Sequence, residues 1–234
     1  FEAVGDYKSA AERFALTHPT PKGRLATQSL LSDLQGRVVR DIAQGRRLDE
    51  EDIVAAMGRS LLTGEEAVVA GLVDRVGYRD AFDEWLEEHH GGRLRRVGFE
   101  AWHRRVRLLR WAEGLRSQAV LAVVHLEGTI SASPGQPGRG ISPEATERVL
   151  DGLRGHPGVS AVVLHVNSPG GSAEGSDRIA RSVERLTEEK PVVAVYADVS
   201  ASGGVMLSSP ATEVIAHAST VTGSIGVIGG KVVI

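Results

Sequence analysis

The 234-residue chain contains no cysteine. That excludes disulfides, thiol catalysis and cysteine-ligated metals, while leaving the compartment open. No run of about 18 apolar residues occurs, so no stretch reads as a bilayer span, and the start does not read as a signal peptide. Aromatic residues make up only 4%, and the net charge of -3 offers no electrostatic case for nucleic acid. Lysine is also scarce: of 27 basic residues only Lys8, Lys22, Lys190 and Lys231 are lysines. A start methionine is missing, and Lys231 to Ile234 reads as a strand cut short. The chain therefore reads as an excerpt of a longer protein, with any anchor outside it.

What is present is ordinary globular composition, 41% hydrophobic and 24% charged, enough for one or two domains. The stretch around which the rest is organised is Val199-Ser-Ala-Ser-Gly-Gly204, after the β-branched run 191–196 and before the apolar Val205-Met-Leu207. Serine between a strand end and a helix start is well placed for a nucleophile, and the following N–H can face a developing oxyanion. The same letters also describe an ordinary turn. A second strand, 160–166, runs into Asn167-Ser-Pro-Gly-Gly-Ser172, followed by a helix from Ala173 to Leu186. Strand, Gly-rich turn, helix, strand, serine turn, helix is the order of a parallel sheet, whose sites form beyond the carboxyl ends of strands. Strands near 120–126, 160–166, 191–196 and 213–217 are expected in one mainly parallel sheet.

A serine hydroxyl needs a base. His125, His165 and His217 lie in strand-like runs, where a structural histidine is the simpler reading; the other histidines sit at helix ends or in polar segments. No Gly-x-Ser-x-Gly surrounds Ser202, and no serine has lysine three residues on. Lysine, unlike arginine, can lose its proton when buried. Lys190 at a helix end and Lys22 between prolines read as solvated, which leaves Lys8 and Lys231.

Five motifs now carry a resemblance: Val4-Gly-Asp-Tyr-Lys-Ser-Ala10; Thr63-Gly-Glu-Glu-Ala67 with Gly71-Leu-Val-Asp74; Leu164 to Ser172; Ser200 to Gly204; and Ser219-Thr-Val-Thr-Gly-Ser-Ile-Gly226. In order and spacing they resemble the bacterial signal peptide peptidases of the protease IV type, serine/lysine peptidases on a Clp-protease/crotonase-like α/β fold. The resemblance covers nearly the whole chain except residues 91–118. It implies Ser202 as nucleophile, Lys8 as general base, Ser224 as the residue positioning the lysine, and backbone N–H groups of Gly171 and Gly203 as oxyanion donors. It implies no cofactor or metal, hydrophobic peptide substrates such as remnant signal peptides, a homo-oligomeric ring or bowl, and an extracytoplasmic catalytic domain at the cell membrane. Two departures stand out: Val205 replaces a usual aromatic, and His165 a position often basic. A crotonase-like acyl-CoA enzyme and an inactive oligomeric scaffold are the alternatives.

The division expected from this likeness is a mainly helical 1–90, the later part of a first repeat; a linker 91–118; and 119–234, the earlier part of a second repeat. Only part of each tandem repeat is then present. Within 1–90, helices are expected from Lys8 to Leu16, over 25–42 with Leu30, Leu34, Val38 and Ile42 in a stripe, after a capping box at Thr63, and over 79–88; residues 72–76 read as extended. Eight arginines and three aromatics in 93–118 suit either a linker helix or a basic segment on a membrane surface. Residues 131–142 read as a mobile loop.

Overall fold

The computed structural model describes residues 5–59, 61–92, 94, 97–104, 106, 119–132 and 140–227. Lys231 and most of 93–118 and 131–139 lie outside them. The chain divides into two compact units, Phe1–Leu115 and Arg116–Ile234.

Among its described residues the first unit is helical: α1 (Glu12–Ala15), α2 (Pro21–Arg46), α3 (Glu50–Met57), α4 (Gly64–Val69) and α5 (Arg79–His89). Proline at the first position of α2 starts that helix rather than breaking it, because its missing N–H is one the first turn does not use. Thr20 caps the helix through Gly23 N–H, and Glu12 accepts from Thr20 Oγ1 at 2.6 Å. The expected helix from Lys8 shrinks to α1, because Glu12 is drawn into this cap.

Leu30 and Val38 of the expected stripe are exposed. The small core is instead Val39, Ala43 and Ile53 with Ile42, Leu48 and Leu72, since α3 meets only the later part of α2. The Thr63–Glu66 capping box forms as read. Of residues 72–76, expected to be extended, 72–74 make bends and 75–76 have no regular structure. Arg46 holds them by donating to Gly71 O at 2.9 Å and pairing both oxygens of Asp74. That hydrogen bond holds the Asp74 carboxyl below its usual range.

The second unit is a parallel sheet with helices: β1 (Val120–Glu127), α6 (Pro143–Gly155), β2 (Val159–Ser168), α7 (Ala173–Thr187), β3 (Val192–Ala201), α8 (Gly203–Ser208), β4 (Glu213–Ala216) and β5 (Val221–Gly223). The order is β1-β2-β3-β4, with β5 pairing the end of β3, and every pairing is parallel. Alternation decides the core. Val162, Leu164 and Val166 of β2 and Val192, Ala194 and Tyr196 of β3 are buried against Leu150, Ile179, Val183, Leu186 and Leu207 of the helices. On the opposite face Leu121 and Val123 of β1 are exposed.

Two polar ties fix α6 and α7 together. Arg178 donates to Glu144 and Glu147 at 3.0 and 2.7 Å. Lys190, expected to be solvated, donates to Leu153 O and His156 O, both at 2.6 Å. A compact ammonium suits two carbonyls at a helix C-terminus, which explains one retained lysine. At the loop expected to be mobile, Ile130 bridges both Ile141 and Gly171, so the described ends of 131–142 are fastened to the sheet.

Leu164→Ala should destabilise the second unit by about 2–5 kcal/mol because it opens a cavity at a fully buried position. Val123→Ala on the open face should change stability by less than about 0.5 kcal/mol. Denaturant titration followed by circular dichroism checks the contrast.

Candidate active site

β3 runs further than its apolar core requires. It continues through Val199, Ser200 and Ala201, and Ser202 follows as the cap of α8. Ser202 adopts φ 51° and ψ −114°, a region that disfavours any residue with a Cβ. The chain reverses there within one residue, which leaves the serine half-buried at the carboxyl edge of the sheet. Gly203 N–H belongs to the first turn of α8, whose donors have no intrahelical acceptor.

The turn after β2 comes down onto this elbow. Gly170 sits at φ +98°, and a Cβ on it would lie 2.7 Å from Gly203 N and 2.9 Å from Ser202 Cβ. Only glycine allows that approach. Gly171 is flanked by two bonds to Ile130: Ile130 N–H donates to Gly170 O, and Ser172 N–H donates to Ile130 O, both at 2.9 Å. In a parallel bridge the middle residue turns its own N–H to the other side, so Gly171 N–H faces away from Ile130.

The turn is held by residues that the sequence argument did not single out. Ser168, fully buried, donates to Gly128 O at 2.6 Å and accepts from Gly170 N–H at 3.1 Å. Asn167 Oδ1 accepts from Val199 N–H at 3.2 Å, and Thr220 Oγ1 donates to Ala197 O at 2.7 Å. These two bonds stitch a bulge: between paired positions, β2 advances from Val166 to Ser168 while β3 advances from Tyr196 to Ser200. Tyr196 OH bonds Ser208 Oγ at 2.9 Å and fixes α8 on β3. The signal available was a polar residue inside an apolar strand or directly after one, read as turn chemistry rather than as support.

Ser224 lies beside the elbow. Ala201 pairs with Gly223, and Ser202 N–H donates to Gly223 O at 2.9 Å, so Ser224 is the residue that follows Ser202's acceptor. It too has positive φ, 48°, and is exposed. A cavity of about 680 Å³ opens between the elbow and the Gly171 turn, with Ala173, Val205, Met206, Ile225 and Val227 on its walls. Volume and apolar lining suit an extended peptide or another narrow apolar ligand.

Ser202, Gly203, Gly171 and Ser224 are thus gathered at one end of the second unit. Lys8 belongs to the first unit, where it lines a concavity with Gly5, Asp6, Glu12 and Thr20. The side chain of Lys8 is exposed. Lys22 pairs with Asp6 at 2.6 Å. His156 and His217 each accept a nearby backbone N–H, as structural histidines should, whereas His165 Nδ1 is buried without a partner among the described residues.

Replacing Ser168 by Ala removes both the acceptor for Gly170 N–H and the donor to Gly128 O. Catalysis that depends on the turn should fall by about 10-fold or more while far-ultraviolet circular dichroism stays unchanged. Turnover of a chromogenic peptide checks it.

Peptidase family S49 matches residues 1–92 and 184–234. The chloroplastic serine protease SPPA of Arabidopsis thaliana is 26% identical over 98% of this chain, and protease 4 of Haemophilus influenzae is 30% identical over 96%. The chain spans 35% and 38% of those two relatives' lengths. Among solved structures, ClpP1 from Listeria monocytogenes aligns over 38% of this chain and 46% of its own, with 21% identity and a TM-score of 0.32. A membrane-bound stomatin-specific protease aligns over 48% and 51%, with 16% identity and a TM-score of 0.40. The family match covers more than half of the sequence, on both units, and this chain belongs to peptidase family S49.

Proposed function

We propose that the chain carries the reacting groups of a serine peptidase with a serine/lysine dyad, acting on hydrophobic peptides. The observation that carries the reading is the elbow at Ser202, strained in φ and overlain by the Gly170-Gly171 turn. Strain of this kind persists where the surrounding structure holds it, and it clusters at functional sites.

In the proposed reaction Lys8 Nζ, uncharged, takes the proton of Ser202 Oγ as that oxygen bonds to the carbonyl carbon of the scissile peptide. The carbonyl oxygen gains the negative charge and receives hydrogen bonds from Gly203 N–H and Gly171 N–H. Lys8 returns the proton to the leaving amine as the C–N bond breaks. Water, deprotonated by the same amine, then hydrolyses the ester and frees Ser202. Ser224 accepts from or donates to the lysine amine and aims it. An uncharged lysine requires desolvation, which the exposed Lys8 gains in this reading from cover supplied by assembly into a homo-oligomer.

The apolar cavity beside Ser202 and the protease 4 and SPPA relatives support this substrate class. Remnant signal peptides at the cell membrane, met by an extracytoplasmic catalytic domain, are the substrates this reading favours. Among the described residues no helix is long and apolar enough to cross a membrane. Membrane association would run through a segment outside this sequence.

A serine-directed phosphonate should label Ser202 in the complete protein, and Ser202→Ala should abolish both labelling and turnover. Lys8→Arg should also abolish turnover with the fold intact, because charge stays and the base is lost. Ser224→Ala should cut turnover by about 10- to 100-fold with little change in melting temperature and a displaced pH profile. Near-normal turnover of Lys8→Arg would remove the dyad.

A further inference from the structure

On the face of the sheet that the helices of the second unit leave open, three side chains with metal-binding atoms converge. His125 and Glu127 are two apart on β1 and therefore project to the same side. His165 is the register partner of His125 on β2, which places it on that side as well. The two imidazoles stand with ring centroids 5.0 Å apart and planes tilted by 56°. Glu127 Oε1 lies 3.8 Å from His125 Nδ1. One ligand atom from each residue falls within 4.8 Å of the other two.

We propose that His125, Glu127 and His165 form a binding site for a divalent transition-metal ion, zinc being the best fit. Two imidazole nitrogens and one carboxylate oxygen are a donor set that zinc accepts, with water in the fourth position. Magnesium and calcium prefer all-oxygen sets and are disfavoured here. Around a four-coordinate ion with bonds of about 2.1 Å, neighbouring ligand atoms stand about 3.4 Å apart. From the present spread of up to 4.8 Å, each pair of ligand atoms has to close by up to about 1.4 Å, which side-chain rotation must supply. His125 and Glu127, whose side chains are both 63% exposed, can rotate to supply it.

Three features favour a site over a chance cluster. The strand register fixes His125 against His165 regardless of side-chain rotation. The ring of His165 is half-buried, so its position is set by the sheet rather than by solvent. Its Nδ1 is shielded and has no hydrogen-bond partner among the described residues, unlike His156 and His217. An ion bound here would clasp the edge strand β1 to β2 just ahead of Ser168. It is separate from the proposed reaction and stands whether or not Ser202 is a nucleophile.

Titrating the full chain, freed of metal by chelation, with cobalt(II) as a spectroscopic stand-in should give one ion per chain and the visible bands of a four-coordinate site; zinc should displace it. His125→Asn and Glu127→Gln, both at exposed positions where the fold is safe, should each weaken binding by about 10-fold or more, equal to about 1.4 kcal/mol. His165→Gln should do the same, and His89→Asn, on a different element, should not. Absence of stoichiometric cobalt or zinc binding overturns the proposal. So does binding that survives both His125→Asn and Glu127→Gln, or that is lost in His89→Asn.

Discussion

Gly170 pressed against the backbone of residues 201 to 203 is the contact that the carboxyl edge of the sheet is built to permit. A Cβ there would strike Gly203 N and Ala201 O at 2.7 and 2.9 Å, so the two strand ends can meet only through bare backbone. Meeting at equal height has a geometric cost, because β3 must spend more residues than β2 over the same distance. The resulting bulge strips ladder bonds from the strand, and Asn167 and Thr220 replace them from the side. Bulges beside sites commonly re-aim one side chain in this way. Here the residue re-aimed is Ser202.

The two units solve stability differently. The second gathers aliphatic residues from three strands and three helices into one core, so its loops can carry strain. The first has a core of a few side chains and depends on defined polar joints: the Glu12–Thr20 cap, the Thr63–Glu66 box and the Arg46–Asp74 fork. The Arg46–Asp74 pair, as an exposed ion pair, contributes little free energy, so its value is in fixing conformation. Segments around Lys8 and Gly71 to Asp74, quoted above as motifs, are the ones these joints hold.

Much of the second unit was legible because periodicity and chemistry agree there. Val162, Leu164 and Val166 alternate, Ile179, Val183 and Leu186 recur at helical spacing, and glycine pairs mark both turns. The first unit was harder to read. In α2 the apolar residues are spread around the helix, and which of them are buried depends on where α3 packs, a tertiary choice that Leu30 and Val38 do not announce. Pro21 could break or begin a helix, and the decision came from Thr20 and Glu12. At the site, Ser202 and the glycines were readable as a strand-to-helix turn. The support from Ser168 and Asn167 was not, because hydrogen bonds across a sheet edge join residues far apart in sequence. Lys190 was misread for the same reason: its two carbonyl partners, Leu153 and His156, lie at the C-terminal end of α6 and just past it.

The positive φ of Ser202 also bears on how such a chain can change over generations. An L-residue held in that region costs of order 1–3 kcal/mol, and glycine would be free of most of it. The fold therefore exerts a constant pull towards discarding its own serine. A lineage that exchanges Ser202 for glycine gains stability in that step, and the gain then tolerates further change elsewhere. Descendants of this architecture without that serine start from a thermodynamic advantage rather than from decay.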